Sequence, residues 1–161
     1  TNLDYLYVTG SNTLSGDVSG LTKLDYLYVT GSNTLSGDIS GLTNLTYLYV
    51  SGSNTLSGDV GGSGTSAVVN GITALKLNPC RMSDYTAGAT WSLTDTSYIN
   101  PSTGYGYSAT EIDNILIDMA ASLGTVSGKT ITLKGSSAAR TSASDAAVAT
   151  LNGKGWTIVT N

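Results

Sequence analysis

Histidine is absent from this chain, cysteine occurs once at Cys80, and charged side chains make up only 11% of the residues. Each scarcity closes off a chemistry. Without histidine there is no Ser–His–Asp triad, no Cys–His pair and no histidine-based zinc site. A single cysteine allows no internal disulfide. An average globular protein is roughly 25% charged, so polarity here comes instead from Ser, Thr, Asn and Gly. The 40% hydrophobic fraction argues against disorder. No apolar run approaches the roughly 20 residues of a membrane span, and no signal peptide is evident. The chain opens in mid-repeat at Thr1 and reads as a mature or excised piece of something longer.

Basic charge is also short. Lys23 is the one basic residue in 1–63, against Asp4, Asp17, Asp25, Asp38 and Asp59, and the whole chain has a net charge of −4. Such a surface repels phosphate, so nucleic acid and membrane insertion are not expected. The length of 161 residues suits one domain with a real core.

What the sequence has in abundance is itself. LDYLYVTGSNTLSGD stands at 3–17 and again, unchanged, at 24–38, and LTYLYVSGSNTLSGD follows at 45–59. The first two 21-residue units differ only at Asn2/Lys23 and Val18/Ile39. A period of this length predicts a solenoid, in which each unit buries its apolar face on its neighbours. Within a unit Leu6 and Val8 are two apart and share one strand face, while Tyr5, Tyr7 and Thr9 point the other way. LSGDV predicts a second short strand with Leu14 and Val18 inward, and glycines 10, 16 and 20 mark turns. Little helix is expected in 1–63.

These residues resemble the leucine-rich repeat signature. ITALKLNPCRM at 72–82 fits it position by position through Ile72, Leu75, Leu77, Cys80 and Met82. The three copies fit with one extra residue, and either Ser11 or Asn12 takes the Asn/Cys slot. LSGDISGLTNL at 35–45 is similar to part of the plant-type repeat, without its proline. The resemblance covers 1–82, about half the chain. It implies a β-rich leucine-rich repeat solenoid with parallel strands and an α/β C-terminal cap.

The expected organisation is one continuous solenoid domain. It comprises three repeats in 1–63, an irregular repeat with a Tyr/Thr/Ser-rich excursion in 64–107, and a capping region in 108–161 with two helices and two strands. A strand is expected near TWSLTD at 90–95. Ser108 and Glu111 form a capping box for a helix with Ile112, Ile115, Leu116, Met119 and Leu123 on one face and Gly124 at its end. KTITLKG at 129–135 and WTIVT at 156–160 predict strands, with a second helix between them started by Ser142 or Ser144 and stopped at Asn152-Gly153. A solenoid's end exposes apolar side chains and strand edges, which such elements would cover. The ending resembles the closing unit of leucine-rich repeat proteins from bacterial surfaces and phages.

The tyrosines are the part a core does not demand. Tyr5, Tyr26 and Tyr47 should form one column and Tyr7, Tyr28 and Tyr49 another, six of the ten tyrosines in the chain. The resemblance places them on the concave face where family members usually bind, edged by Thr9, Thr30, Ser51, Asp4 and Asp25. Tyrosine offers rigid contact area and a hydroxyl, which suits a protein or glycan target. Bracing of the sheet through cross-strand pairs is the other reading. Asn12, Asn33 and Asn54 should form an internal structural ladder. Asp17, Asp38 and Asp59 should stack, either solvated or bonded to turn amides, with calcium as a weak alternative because each unit supplies only one carboxylate. Cys80 reads as a buried small hydrophobe. Glu111, Asp113 and Asp118 read as the solvated side of a helix. Ser102–Gly106 follows no clear strand and opens no immediate helix, so it makes no phosphate loop.

The sequence therefore predicts no enzyme, no cofactor and no metal. It favours a recognition module of an extracellular, cell-surface or virion protein, such as a bacterial adhesin or a phage tail fibre or receptor-binding protein. A structural spacer or assembly unit of a fibre is the alternative, since further repeats, a domain or a subunit must cover the uncapped N-terminal end. An intracellular protein-interaction domain is the third.

Overall fold

Alternation of apolar and polar side chains at period two decides the architecture. In the computed structural model, which describes residues 2–11, 13–62 and 67–161, each repeat contributes two strands. The YLYV segments form β1 (Tyr5–Val8), β3 (Tyr26–Val29) and β5 (Tyr47–Ser51). The LSGD segments form β2 (Ser15–Asp17), β4 (Thr34–Asp38) and β6 (Thr55–Ser57). The chain then adds β7 (Ala74–Cys80), β8 (Ser97–Pro101), helix α1 (Ala109–Ser122), β9 (Lys129–Leu133), helix α2 (Asp145–Gly153) and β10 (Trp156–Thr160). Among the described residues 2–62 are free of helix.

All the pairings are parallel. One sheet runs β1-β3-β5-β7-β8-β9-β10, and a second, narrower ladder runs β2-β4-β6. The chain passes from one ladder to the other and back in each unit, so equivalent residues fall opposite one another: Tyr5↔Tyr26↔Tyr47, Leu6↔Leu27↔Leu48 and Val8↔Val29↔Val50. Leu27, Val29, Leu48 and Val50 from the wide sheet, with Leu35 and Leu56 from the narrow one and Ile39 and Val60 from the segments that follow it, belong to a single core. That core continues through Ile72, Leu75, Leu77, Cys80 and Met82 into Trp91, Tyr107, the inner face of α1 and Trp156.

Burial separates strands of identical sequence. YLYV is buried at its leucine and valine in β3 and β5, but in β1 the same residues are only half-buried and Tyr5 and Tyr7 are exposed. Stacking on a neighbour on both sides, not local sequence, removes the apolar side chains from water.

The turn after each LSGD strand ties units together through aspartate. Asp17 Oδ1 accepts from Ser19 N at 2.8 Å, Asp38 Oδ1 from Ser40 N at 2.8 Å and Asp59 Oδ1 from Gly61 N at 2.7 Å, each a local aspartate turn. The carboxylates of Asp17 and Asp38 lie over the glycine one repeat later. At Gly37 (φ +118) and Gly58 (φ +110) a Cβ would be strained by the backbone and would overlap Asp17 Oδ1 and Asp38 Oδ1 respectively, so a side chain there would have to push the carboxylate off its turn amide.

The C-terminal half departs from the sequence expectation in several places. The segment 90–95 is not a strand: Trp91 and Leu93 turn into the core from irregular backbone, and the strand falls later, at Ser97–Pro101. This β8 sits between β7 and β9 in the main sheet, so the expected excursion returns to it. Pro101 has no N–H to give at the strand end, and Ser102 donates instead from both N and Oγ to Cys80 O at 2.9 Å. Ser102–Gly106 thus does follow a strand and does lead to a helix. The α1 capping box forms as expected, with Ser108 Oγ accepting from Glu111 N and Glu111 Oε2 from Ser108 N at 2.7 Å. At the other end Leu123 in extended conformation stops the helix one residue before Gly124. The second helix begins with a 3-10 turn at Ser142–Ser144, capped by Thr141, and runs through Gly153.

Candidate functional site

The face of the wide sheet opposite the core is built from the side chains that alternation turns outward. Tyr5 and Tyr26 stack with ring centroids 4.6 Å apart and planes within 11°, and Tyr26 and Tyr47 at 4.7 Å and 12°. In the second column Tyr7 and Tyr28 stack at 4.8 Å and 18°. Tyr28 and Tyr49 meet edge to face at 4.7 Å and 85°. These spacings repeat the separation of the strands beneath, about 4.8 Å, so the rings inherit their order from the parallel register.

Two residues that sequence reasoning did not place here extend the second column. Lys76 pairs with Tyr49 across β5 and β7, and Tyr98 pairs with Lys76 across β7 and β8. The ammonium of Lys76 lies 5.8 Å from the Tyr47 ring centre and 5.9 Å from that of Tyr49, in cation–π range. Tyr98 meets Tyr49 edge to face at 6.3 Å. The signal was present: Lys76 stands between Leu75 and Leu77 as Tyr7 stands between Leu6 and Val8.

The electrostatics raise three phenols of this face and pin it at one end. Partial burial, then the neighbouring Tyr47 and Tyr5 phenols, hold Tyr26 above its ordinary value. Tyr28 is raised by partial burial and by Tyr49 and Tyr7, against a smaller opposing pull from Lys76. Tyr98 is raised by burial and by its hydrogen bond with Tyr49. These phenols stay neutral hydrogen-bonding groups near pH 7. Asp95 anchors Lys76 at 3.3 Å and Lys129 at 2.8 Å. The Lys129 contact is the main reason its carboxyl falls to about 2, helped by Thr96 N and Lys76 and opposed by partial burial.

Thr9 is exposed, while Thr30 and Ser51 are half-buried at the ends of their strands, beside the tyrosine columns. Asp4 and Asp25 are exposed at the opposite strand ends. Asn33 and Asn54 are buried and point inward: Asn33 Nδ2 donates to Ser51 O, and Asn54 Oδ1 accepts from Leu35 N at 3.3 Å. The asparagine, not the preceding serine, therefore takes the inward slot in units two and three. Asn12 lies outside the described residues. Asp17, Asp38 and Asp59 each bond their own turn amide. Among the described residues no three groups of the Asp, Glu or Cys type gather to hold a metal ion.

The expectation that Glu111, Asp113 and Asp118 are solvated is overturned. Asp113 is 4% exposed and accepts from Thr141 N at 3.0 Å, from Thr141 Oγ1 at 2.5 Å and from Ser144 Oγ at 2.6 Å. Asp118 Oδ2 accepts from Tyr85 OH at 2.8 Å, Gly88 N at 2.7 Å and Ala89 N at 3.2 Å. Glu111 Oε1 accepts from Tyr85 N at 3.0 Å, and Asp59 Oδ2 reaches the same loop at Thr86 N, 2.9 Å. The acids of α1 are clamps for segments folded over the helix. Glu111 also accepts from Ser108 N at the helix N-terminus after the glycine loop, so a carboxylate already takes the amide that an anion would use there. Cys80 is fully buried, and burial raises its thiol to about 11, so it is a core residue with no nucleophilic character at neutral pH.

Compared with protein-family models, with curated proteins and with solved structures, the chain has no match in any of the three.

Proposed function

We propose that this chain is a non-enzymatic recognition module of the leucine-rich repeat type, a solenoid from an extracellular, cell-surface or virion protein. Its outward tyrosine columns would be the concave binding face of that family. The observation that supports this reading is the face itself: seven tyrosines and Lys76 in register on the side of the sheet that the core does not use. The stacking also narrows the contact. Inner rings cover one another's faces at 4.6–4.8 Å, so a partner meets ring edges and hydroxyls. That suits a protein surface or a hydrogen-bonding glycan better than a sugar that must lie flat on an aromatic ring. Replacing Tyr26 and Tyr28 by Ser tests the idea, read by a cell-binding assay and a glycan array with far-UV circular dichroism as the fold control. Binding retained by a folded variant removes the tyrosine face from the mechanism.

A structural reading is favoured by a different observation, the half-buried Leu3, Leu6, Val8 and Leu14 at the β1 end. Further repeats, a domain or a subunit stacked there would make this chain a spacer or assembly unit of a fibre. Light scattering across a concentration series tests it: growth with concentration supports end-to-end assembly, and a monomer at high concentration opposes it.

A further inference from the structure

Unit three departs from units one and two at the turn before its wide-sheet strand. Where the first unit has Asn2-Leu3-Asp4 and the second Lys23-Leu24-Asp25, the third has Asn44-Leu45-Thr46. That is an Asn-x-Thr triplet, the acceptor sequence for N-linked oligosaccharides. Asn100-Pro101-Ser102 has a similar outline, but its proline disqualifies it, so Asn44 heads the one acceptor triplet in the 161 residues. The turn around it has the same backbone in each unit: Asp25 N and Tyr26 N both donate to Asp4 O, and Thr46 N and Tyr47 N both donate to Asp25 O. Leu45 is fully buried and holds the turn to the core, while Asn44 and Thr46 on either side of it are exposed. β5 lies between β3 and β7 in the sheet, so these two side chains face sideways from the stack and owe their exposure to neither end of it. Asn44 Nδ2 donates to Thr22 O at 2.6 Å. A carboxamide carries two N–H groups, and this bond uses one.

We propose that Asn44 is an N-glycosylation site. The co-substrate is an oligosaccharide carried on a lipid diphosphate. The amide nitrogen of Asn44 attacks the anomeric carbon of the first sugar. A carbon–nitrogen bond forms, the carbon–oxygen bond to the diphosphate breaks and the lipid diphosphate leaves, while one amide proton passes to a base of the transferase. The nitrogen keeps its second N–H, so the bond to Thr22 O survives the modification. Thr46 supplies the hydroxyl that the acceptor triplet requires, and in units one and two a carboxylate stands in its place. The attachment point precedes Tyr47 at the entry end of β5. The glycan therefore borders the tyrosine columns at that end and leaves the end marked by Thr30 and Ser51 open. Only a chain that enters a secretory compartment meets such a transferase, so the site rests on the extracellular reading of the protein.

The test supplies that compartment. The full chain is translated behind a cleavable signal peptide in the presence of endoplasmic-reticulum microsomes. The lumenal, protease-protected product is treated in heavy-oxygen water with a glycosidase that converts a glycan-bearing asparagine to aspartate, then digested with trypsin and sequenced by mass spectrometry. Trypsin releases the triplet in peptide 24–76, between Lys23 and Lys76. The expected result is a glycan on that peptide with the oxygen label at Asn44. It should be lost entirely in Asn44→Gln and in Thr46→Ala, and kept in Thr46→Ser. Because the glycan is read directly on the peptide, the result holds whether or not a variant folds. Protease-protected protein with no label at Asn44, or with the label undiminished in Thr46→Ala, overturns the proposal. The signal peptide delivers the chain in every case, so such a failure belongs to the site and leaves the binding reading of the tyrosine face standing.

Discussion

Leu6, Leu27 and Leu48 occupy one position in three nearly identical sentences of sequence, and the structure gives them different surroundings. Leu27 and Leu48 are fully buried between neighbouring strands, and Leu6 is half-buried at the β1 edge. Truncation to alanine removes three carbons, about 2.4 kcal/mol of transfer free energy at roughly 0.8 kcal/mol per buried carbon. A cavity term is added where the surroundings cannot collapse, for a total of about 3–5 kcal/mol. Leu27→Ala and Leu48→Ala should reach that range. Leu6→Ala leaves no closed cavity and loses part of the transfer term, about 1 kcal/mol. Urea unfolding of the three variants is the assay, followed by far-UV circular dichroism and by tryptophan fluorescence. Both tryptophans lie in the C-terminal half, so coincident transitions show that the repeats and the rest unfold together, and a midpoint independent of protein concentration excludes self-association. Equal losses at Leu6 and Leu27 under those conditions would refute the claim that stacking on both sides, not the local sequence, sets burial.

Asp113→Ala should cost about 3 kcal/mol in the same assay, because it strands the buried Ser144 hydroxyl and the Thr141 amide without their acceptor. A loss below about 0.5 kcal/mol would show that these donors find other partners. Asp95 titrates at about 2 in the folded protein against roughly 3.9 unfolded. Its folded value is depressed, so its contribution is fully present above about pH 4 and is lost as pH falls through 2. The side chain is 42% exposed, which keeps the effect on stability small. Carboxyl NMR is the better readout, and Lys129→Met should move the titration upward towards the ordinary range, an unchanged titration contradicting the assigned cause.

The wide sheet and its tyrosine columns were legible because period-two alternation and a repeat period together fix both face and register. β8 was not. TWSLTD has the aromatic and aliphatic residues of a strand, yet Trp91 and Leu93 enter the core from irregular backbone. SYINP ends in a proline, which argues against an interior strand, and only the serine after it makes good the missing donor. The clamps of α1 were hidden for another reason. Helical periodicity puts Asp113 and Asp118 on the polar side, but their donors lie 28 and up to 33 residues away, beyond any window in which pattern speaks. Lys76 was legible and overlooked: the residue between Leu75 and Leu77 had to share the face of Tyr49.

The aspartate of one unit resting over the glycine of the next is a head-to-tail join, with both halves present in every full unit. Joins of this kind do not close on themselves, so the contact sets no limit on the number of units. A gene that gains or loses a whole 21-residue block leaves every surviving join made of the same atoms. After the third unit the spacing changes, and there the carboxylate of Asp59 meets the Thr86 amide instead of a glycine one repeat on. Growth by whole words is therefore written into two residues of the repeat.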